Sequence, residues 1–147
     1  MELNETDVKI LRGLLEDARF SSRQIAKTIG VSVGTVLSRI KKMEEDGLLK
    51  GYTAILDHEK LGFQLTVIIE ITVSKGRLIE TENEIAKIPN VCGVYDVTGL
   101  TDAIIIAKFK NRKDLGAFTK KLLALPYIEH TNTHVVLSTV KENFHLL

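Results

Sequence analysis

Residues 21–40 read SSRQIAKTIGVSVGTVLSRI, and their spacing decides how the N-terminal part of the chain folds. Ser21-Ser22 is a helix start, because a serine hydroxyl accepts from an amide N–H that the first helical turn leaves without a partner. Ile25, Ala26 and Ile29 follow at helical spacing, and Gly30 is the residue expected to end that helix in the left-handed conformation. Ser32 caps a second helix. That helix is expected to carry Val33, Val36, Ile40 and Met43 on one stripe and to end at Gly47. A small residue in the first helix, a glycine in the turn and apolar residues at fixed distances hold two helices at a close crossing angle. Ala26, Gly30 and Val36 supply these in order, which is the pattern of a helix-turn-helix.

A third helix precedes the pair. Asn4 is its expected cap, with Val8, Leu11, Leu15 and Ala18 recurring along one stripe. Charge supports the same reading. The chain as a whole carries only +1, yet no acidic residue lies between Ala18 and Met43, where Arg19, Arg23, Lys27, Arg39, Lys41 and Lys42 are found. A concentrated basic segment in a near-neutral chain points to a local anionic partner. With Val33, Val36, Ile40 and Met43 facing inward, the last of the three helices turns Gly34, Thr35, Ser38, Arg39, Lys41 and Lys42 to solvent. Early positions of such a helix reach base edges and flanking cations reach phosphates. The expected DNA-contacting set is therefore Arg23, Ser32, Gly34, Thr35, Ser38, Arg39, Lys41 and Lys42. Arg39 is suited to either role, since a guanidinium pairs bidentately with guanine. The plainer alternative is a three-helix bundle with a basic solvated face.

Beyond residue 48 the period changes. Leu49–Leu56 reads as an extended arm and Asp57–Gly62 as a linker turn. Gln64–Val73 alternates, with Leu65, Val67, Ile69, Ile71 and Val73 on one face, as in a half-buried strand. Leu78, Ile79, Glu82, Ile85 and Ala86 suit a helix stopping before Pro89, and Leu115, Phe118, Leu122 and Leu123 one stopping before Pro126. Strands are expected over Val91–Thr98, Ala103–Phe109 and Ile128–Val140. The order is βαββαβ, and Ile85–Val91 (IAKIPNV) echoes Leu122–Ile128 (LLALPYI). Two such halves forming one antiparallel sheet with both helices on one face give the split-βαβ, ferredoxin-like arrangement. The fold class is thus α+β: a helix-turn-helix domain, winged-helix-like, over residues 1–50, an arm and linker over 51–62, and a βαββαβ domain over 63–147. Helices on one face only leave the other to be covered. Thr66, Ile68, Val94, Ile104, Ile106, Val136 and Val140 are expected there, and they are too apolar for full exposure.

Composition bounds the function. The chain is 44% hydrophobic and 27% charged, enough for a core and a solvated surface. A lone cysteine, Cys92, excludes an internal disulfide or a thiolate metal cluster, and a small buried strand residue is its expected role. His58, His130, His134 and His145 show no metal-ligand spacing. No leader-like segment opens the chain, and the longest apolar run, Leu65–Val73, is too short to span a bilayer. The expectation is a cytoplasmic protein with no catalytic, metal or membrane site.

Asp7, Ile10-Leu11, Ala18-Arg19, Ile25-Ala26, Gly30-Val31-Ser32, Val36, Arg39-Ile40, Glu44, Gly47-Leu48 and Gly51-Tyr52 together resemble the N-terminal half of Lrp/AsnC (feast/famine) transcription regulators. The second half resembles their ligand-sensing and oligomerisation domain. The resemblance implies double-stranded DNA as a partner, no cofactor beyond an amino-acid effector, and a homodimer assembling to a tetramer or octamer. It also implies an effector site at contacts between dimers. That site is built on the Gly-x-x-Asp turn Gly99-Leu100-Thr101-Asp102, with Thr131 and Thr133 lining the same pocket. Leu100-Thr101 departs from the acidic-aromatic pair commoner in the family. Physically, the turn needs Gly99 for its backbone and Asp102 to satisfy nearby N–H groups in any case.

Two other functions fit parts of the sequence. An architectural, chromatin-like protein that wraps DNA would use the same helix-turn-helix. A small acylphosphatase-like enzyme would use the βαββαβ fold. However, Ser74-Lys75-Gly76-Arg77 after the first strand lacks a Gly-rich phosphate nest.

Overall fold

The structure, a computed structural model, describes residues 2–147. It divides into two compact units: residues up to Ile55 together with Glu142–Leu147, and Leu56–Lys141.

The first unit holds α1 (Glu5–Glu16), α2 (Ser22–Ile29) and α3 (Val33–Glu45). The expected caps form. Asn4 and Asp7 exchange hydrogen bonds, Asp7 N–H donating to Asn4 Oδ1 at 2.9 Å and Asn4 N–H to Asp7 Oδ2 at 3.1 Å. Ser21 and Gln24 form the same reciprocal box at the start of α2. Ile10, Leu11, Leu14, Ile25, Ala26, Val36 and Met43 make the core. Two expectations are corrected. The buried stripe of α1 is turned by one position, to Asp7, Ile10, Leu11 and Leu14, leaving Leu15 and Ala18 exposed and Val8 half-buried. Both stripes contain Leu11, so periodicity alone does not choose between them. The approach of Ile25 on α2 to Gly13 shows which flank of α1 α2 covers. Val33, expected inside, is exposed at the first turn of α3.

Gly30 ends α2 at φ +74°, and a Cβ built there meets nothing within 4 Å. Any penalty for a side chain at this site is therefore conformational rather than steric. Gly30→Ala is expected to lower the stability of this unit by about 1–2 kcal/mol, seen as a lower urea midpoint with an unchanged slope. A melt superimposable on the parent's contradicts this. Among the described residues the arm after α3 pairs with no strand. It is tethered by Tyr52, whose hydroxyl donates to Glu44 Oε1 at 3.0 Å. Burial, and then the adjacent Glu44 carboxylate, push the Tyr52 phenol above its usual pKa.

The second unit holds β1 (Leu65–Val73), α4 (Leu78–Ala86), β2 (Val91–Asp96), β3 (Ala103–Phe109), α5 (Arg112–Leu123) and β4 (Ile128–Val135). The sheet runs β2-β3-β1-β4 with every neighbouring pair antiparallel. Ile85 of α4 and Phe118 and Leu122 of α5 pack onto Val67, Ile69, Ile71, Ile105 and Phe109. The echoed segments fold alike. Ile88 N–H donates to Ile85 O and Val91 N–H to Ile88 O, while Leu125 N–H donates to Leu122 O and Ile128 N–H to Leu125 O. Each proline sits in the same turn from helix to strand.

Several positions differ from expectation. Ile79, Ala86 and Leu123 lie on the solvent sides of their helices. The last strand ends at Val135, and Val140, expected on the second sheet face, is in the exposed tail. Val94 is on the core face, paired with Ile105, because the register shifts between Val91 and Gly93. This shift leaves Cys92 exposed rather than buried. It also puts Gly93 and Tyr95 on the open face opposite Ile106 and Ile104. The open face thus presents Thr66, Ile68, Ile104, Ile106 and Tyr95, bordered by Glu70, Asn132 and His134. No described helix is long and apolar enough to cross a membrane.

Candidate nucleic-acid and ligand surfaces

On α3, burial of Val36 and Met43 fixes the opposite side of the helix as Gly34, Ser38 and Lys41, with Thr35, Leu37 and Lys42 beside them; all six are exposed. Helical geometry alone dictates this, since residues two and five positions from Val36 lie most nearly opposite it. Ser32 has a different task. Its hydroxyl accepts from Thr35 N–H at 3.0 Å and lies 2.9 Å from the Thr35 hydroxyl, so it holds the start of the helix. Lys41 reaches Glu45 at 3.7 Å, whereas Lys42 on α3 and Arg23 on α2 stand in solvent.

Arg39 departs from the expected outward set. Three residues after Val36, it lies on the flank of the buried stripe, and its Nη1 reaches Asp7 Oδ2 at 3.5 Å. Asp7 is fully buried, and its Oδ1 has no hydrogen-bond partner. The sequence pattern marks Asn4 as the cap of α1 but gives no sign that Asp7 is buried or that a cation 32 residues later pairs with it. Leu37, 54% exposed, stands on this face as well, although the sequence pattern does not single it out. Arg19, within the acid-free window, is committed to Asp17 through Nε at 2.9 Å and Nη2 at 2.7 Å. These hydrogen bonds lower the Asp17 pKa to about 2.

The second surface centres on the β2–β3 turn. Gly99 adopts φ +132°, and Leu100 at the tip is 99% exposed. Asp102 ties the turn to β1: its Oδ2 accepts from Val73 N–H at 2.7 Å, and its own N–H donates to Ile71 O at 2.9 Å. Thr131 and Thr133 pair with Ile71 and Ile69, so they lie on the helix-bearing side of edge strand β4. β1 separates them from β3, a lateral distance of about 10 Å across two strand spacings. One chain therefore brings Gly99, Leu100, Thr101 and Asp102 together but leaves Thr131 and Thr133 apart from them. The hollow beside the turn is lined instead by Glu70, Asp96, Val97, Thr98, Leu100, Thr101 and Ile104. The Glu70 carboxylate is held below its usual pKa by the Asn132 amide at 2.9 Å and by His134 at 3.4 Å. Among the described residues no group of three or more His, Cys, Asp or Glu side chains is placed to hold a metal.

Comparison with known proteins identifies both domains. Residues 66–146 match the model of the Lrp/AsnC ligand binding domain, and residues 3–50 that of a winged helix-turn-helix DNA-binding domain. An uncharacterised HTH-type transcriptional regulator of Pyrococcus furiosus is 49% identical over 146 residues, covering 99% of each chain. The HTH-type transcriptional regulator FL11 of Pyrococcus horikoshii is 35% identical, covering 98% of this chain and 95% of its own. Among solved structures, a Neisseria meningitidis transcriptional regulator in complex with L-Met superposes with a TM-score of 0.91 at 26% identity, covering 99% of this chain and 97% of the other.

Proposed function

Because the chain belongs to the Lrp/AsnC family of transcriptional regulators, we propose that it binds specific operator sequences and that an amino acid modulates its assembly or DNA affinity. The protein is a DNA-binding regulator with a ligand-binding domain, not an enzyme. The observation that carries the sequence-specific reading is the solvent face of α3. Gly34, Thr35 and Ser38 there leave room for base edges, Leu37 offers an apolar surface to a thymine methyl, and Lys42 reaches a phosphate. Selection of binding sites from random duplexes, with and without amino acids, tests it; recovery of no consensus sequence counts against it.

The effector reading rests on the turn Gly99–Asp102, whose fully exposed Leu100 calls for cover from another subunit, and on the L-Met bound by the Neisseria relative. Cover from a second subunit also accounts for the separation of Thr131 and Thr133 from the turn within one chain. No cofactor is invoked. The effector is a neutral amino acid: the Glu70 and Asp96 carboxylates beside the turn oppose an acidic side chain, and the Neisseria relative holds L-Met. The Asp102 carboxylate meets the ligand's ammonium. Because Asp102 also supports Val73 N–H, Asp102→Ala damages the turn itself, and Asp102→Asn is the cleaner variant. Asp102→Asn is expected to weaken effector binding at least tenfold in calorimetry while thermal unfolding stays near the parent's, a charge-assisted hydrogen bond being about twice as strong as a neutral one. Preferential binding of a charged amino acid by the parent overturns this assignment.

For assembly, two open sheet faces packed together bury Ile68, Ile104, Ile106 and Tyr95 and give a dimer presenting two copies of α3 to two half-sites. Dimers then associate to a tetramer or octamer.

A further inference from the structure

Among the described residues Arg12, Lys50, Lys75 and Lys141 lack a carboxylate within 4 Å at scattered positions, while the other unneutralised cations form two groups. Lys9, Arg19, Arg39, Lys41, Lys60, Arg77 and Lys87 each have a carboxylate within 4 Å. Among the described residues none of Arg23, Lys27 and Lys42 on the helix-turn-helix has one, and neither has any of Lys110, Arg112, Lys113, Lys120 and Lys121 around α5. Residues 103–128 contain a single carboxylate, that of Asp114. It is held in the helix cap by the Asn111 amide at 2.9 Å. The second domain thus has an acid-poor basic window of its own, like that over α2 and α3.

The shape of α5 adds to this. Phe118 and Leu122 are buried, so the opposite side of the helix carries Lys113 and Lys120, seven residues apart on one stripe. Between them lie Gly116 and Ala117, both exposed. A glycine in a helix interior costs stability relative to alanine. Here no packing within the chain asks for it, because a Cβ at Gly116 meets nothing within 4 Å. The result is a low saddle with cations at both ends, open to close approach by a flat, negatively charged surface.

We propose that this face of α5 is a second contact for the DNA backbone, engaging phosphates outside the segment held by the helix-turn-helix. The inference rests on DNA binding by that motif, and the polyanion is the one already bound. Lys113 and Lys120 are about 10 Å apart along the helix, over which one DNA strand passes about three phosphates. Lysines beside glycine and alanine suit phosphates rather than bases, for an ammonium is a point charge with no bidentate geometry. A second copy of the chain is the poorer fit. Its acidic helix, α4, already pairs Glu80 with Arg77 at 3.0 Å and Glu84 with Lys87 at 2.6 Å.

The test uses the full-length protein, a short duplex containing only the selected operator, and a long one extended by about three helical turns on each side. The variant is Lys113→Gln/Lys120→Gln/Lys121→Gln, all exposed positions where glutamine keeps the helix. On the long duplex the variant is expected to bind about tenfold more weakly at low salt. Its log-affinity against log-salt slope should fall by about 2–3 for each α5 face in contact, at about 0.9 for each lost phosphate. On the short duplex the two proteins should bind alike. Equal slopes on the long duplex overturn the proposal, and so does an equal loss on both duplexes. A smaller assembly mass for the variant without DNA also overturns it, and assigns the cations to a second copy of the chain. Binding of the parent protein to the short duplex reports separately on the helix-turn-helix.

Discussion

Ile106→Lys is expected to dissociate the protein into monomers that remain folded and to lower operator affinity by about 10²–10⁴-fold, the advantage lost when two linked sites become one. Ile106 is half-buried in the middle of the open sheet face, opposite Ile68 on one side and Gly93 on the other. Within a single chain a lysine there can lay its methylenes along Ile68 and Ile104 and keep its ammonium in water. Between two apposed sheets it cannot. Two like charges related by symmetry would be shut into an apolar interface, at a cost of several kcal/mol for each unpaired ion. The same substitution on the solvent side of α4, Ile79→Lys, is the control, since Ile79 is 73% exposed and outside the sheet. Light scattering at micromolar concentration reads the mass and gel shifts read the affinity. An unchanged mass for Ile106→Lys removes the open face from the assembly.

The second large effect is on stability. Arg39→Ala is expected to destabilise the first unit by about 2–3 kcal/mol, because it leaves the fully buried Asp7 carboxylate without its cation. The figure lies below that for a wholly buried pair, since the Arg39 side chain is 37% exposed and the contact is 3.5 Å long. Asp7→Ala should cost less, about 1–2 kcal/mol: it removes a helix cap, but the guanidinium it strands can turn to water. The double variant should then recover part of the loss, with a coupling of about 1–2 kcal/mol between the two positions. DNA affinity of Arg39→Ala should fall evenly for operator and scrambled duplexes, in step with the unfolded fraction. A variant that melts like the parent and loses only operator affinity would return Arg39 to the base-reading set.

Much of this was legible in the residues. Caps, turn glycines and the two prolines mark seven of the ten helix ends closely, because each acts on neighbours within four positions. The helix-turn-helix and the βαββαβ order follow from such local chemistry. The failures share one cause. The α1 stripe, the inward turn of Arg39 and the face occupied by Val94 all depend on contacts between segments distant in the chain. One extra residue near Cys92 reverses the alternation that placed Val94, and no composition or period signals such a bulge. Thr131 and Thr133 illustrate a further limit. Strand position says which way a threonine faces, but a site made by several subunits is not contained in one chain.

The bulge also brings Gly93 and Tyr95 to the same side, where the tyrosine ring lies across the glycine. A Cβ built at Gly93 falls 2.7 Å from Tyr95 Cε2 and 3.1 Å from Cζ. A change at either residue therefore alters the surface the other presents. Any replacement of the glycine lifts the ring from the sheet and reshapes the surface offered to a partner, while loss of the ring uncovers the backbone beside it. Paralogues arising by gene duplication in one cell could therefore cease to cross-assemble through a change at this pair alone, with every DNA-contacting residue left as it was.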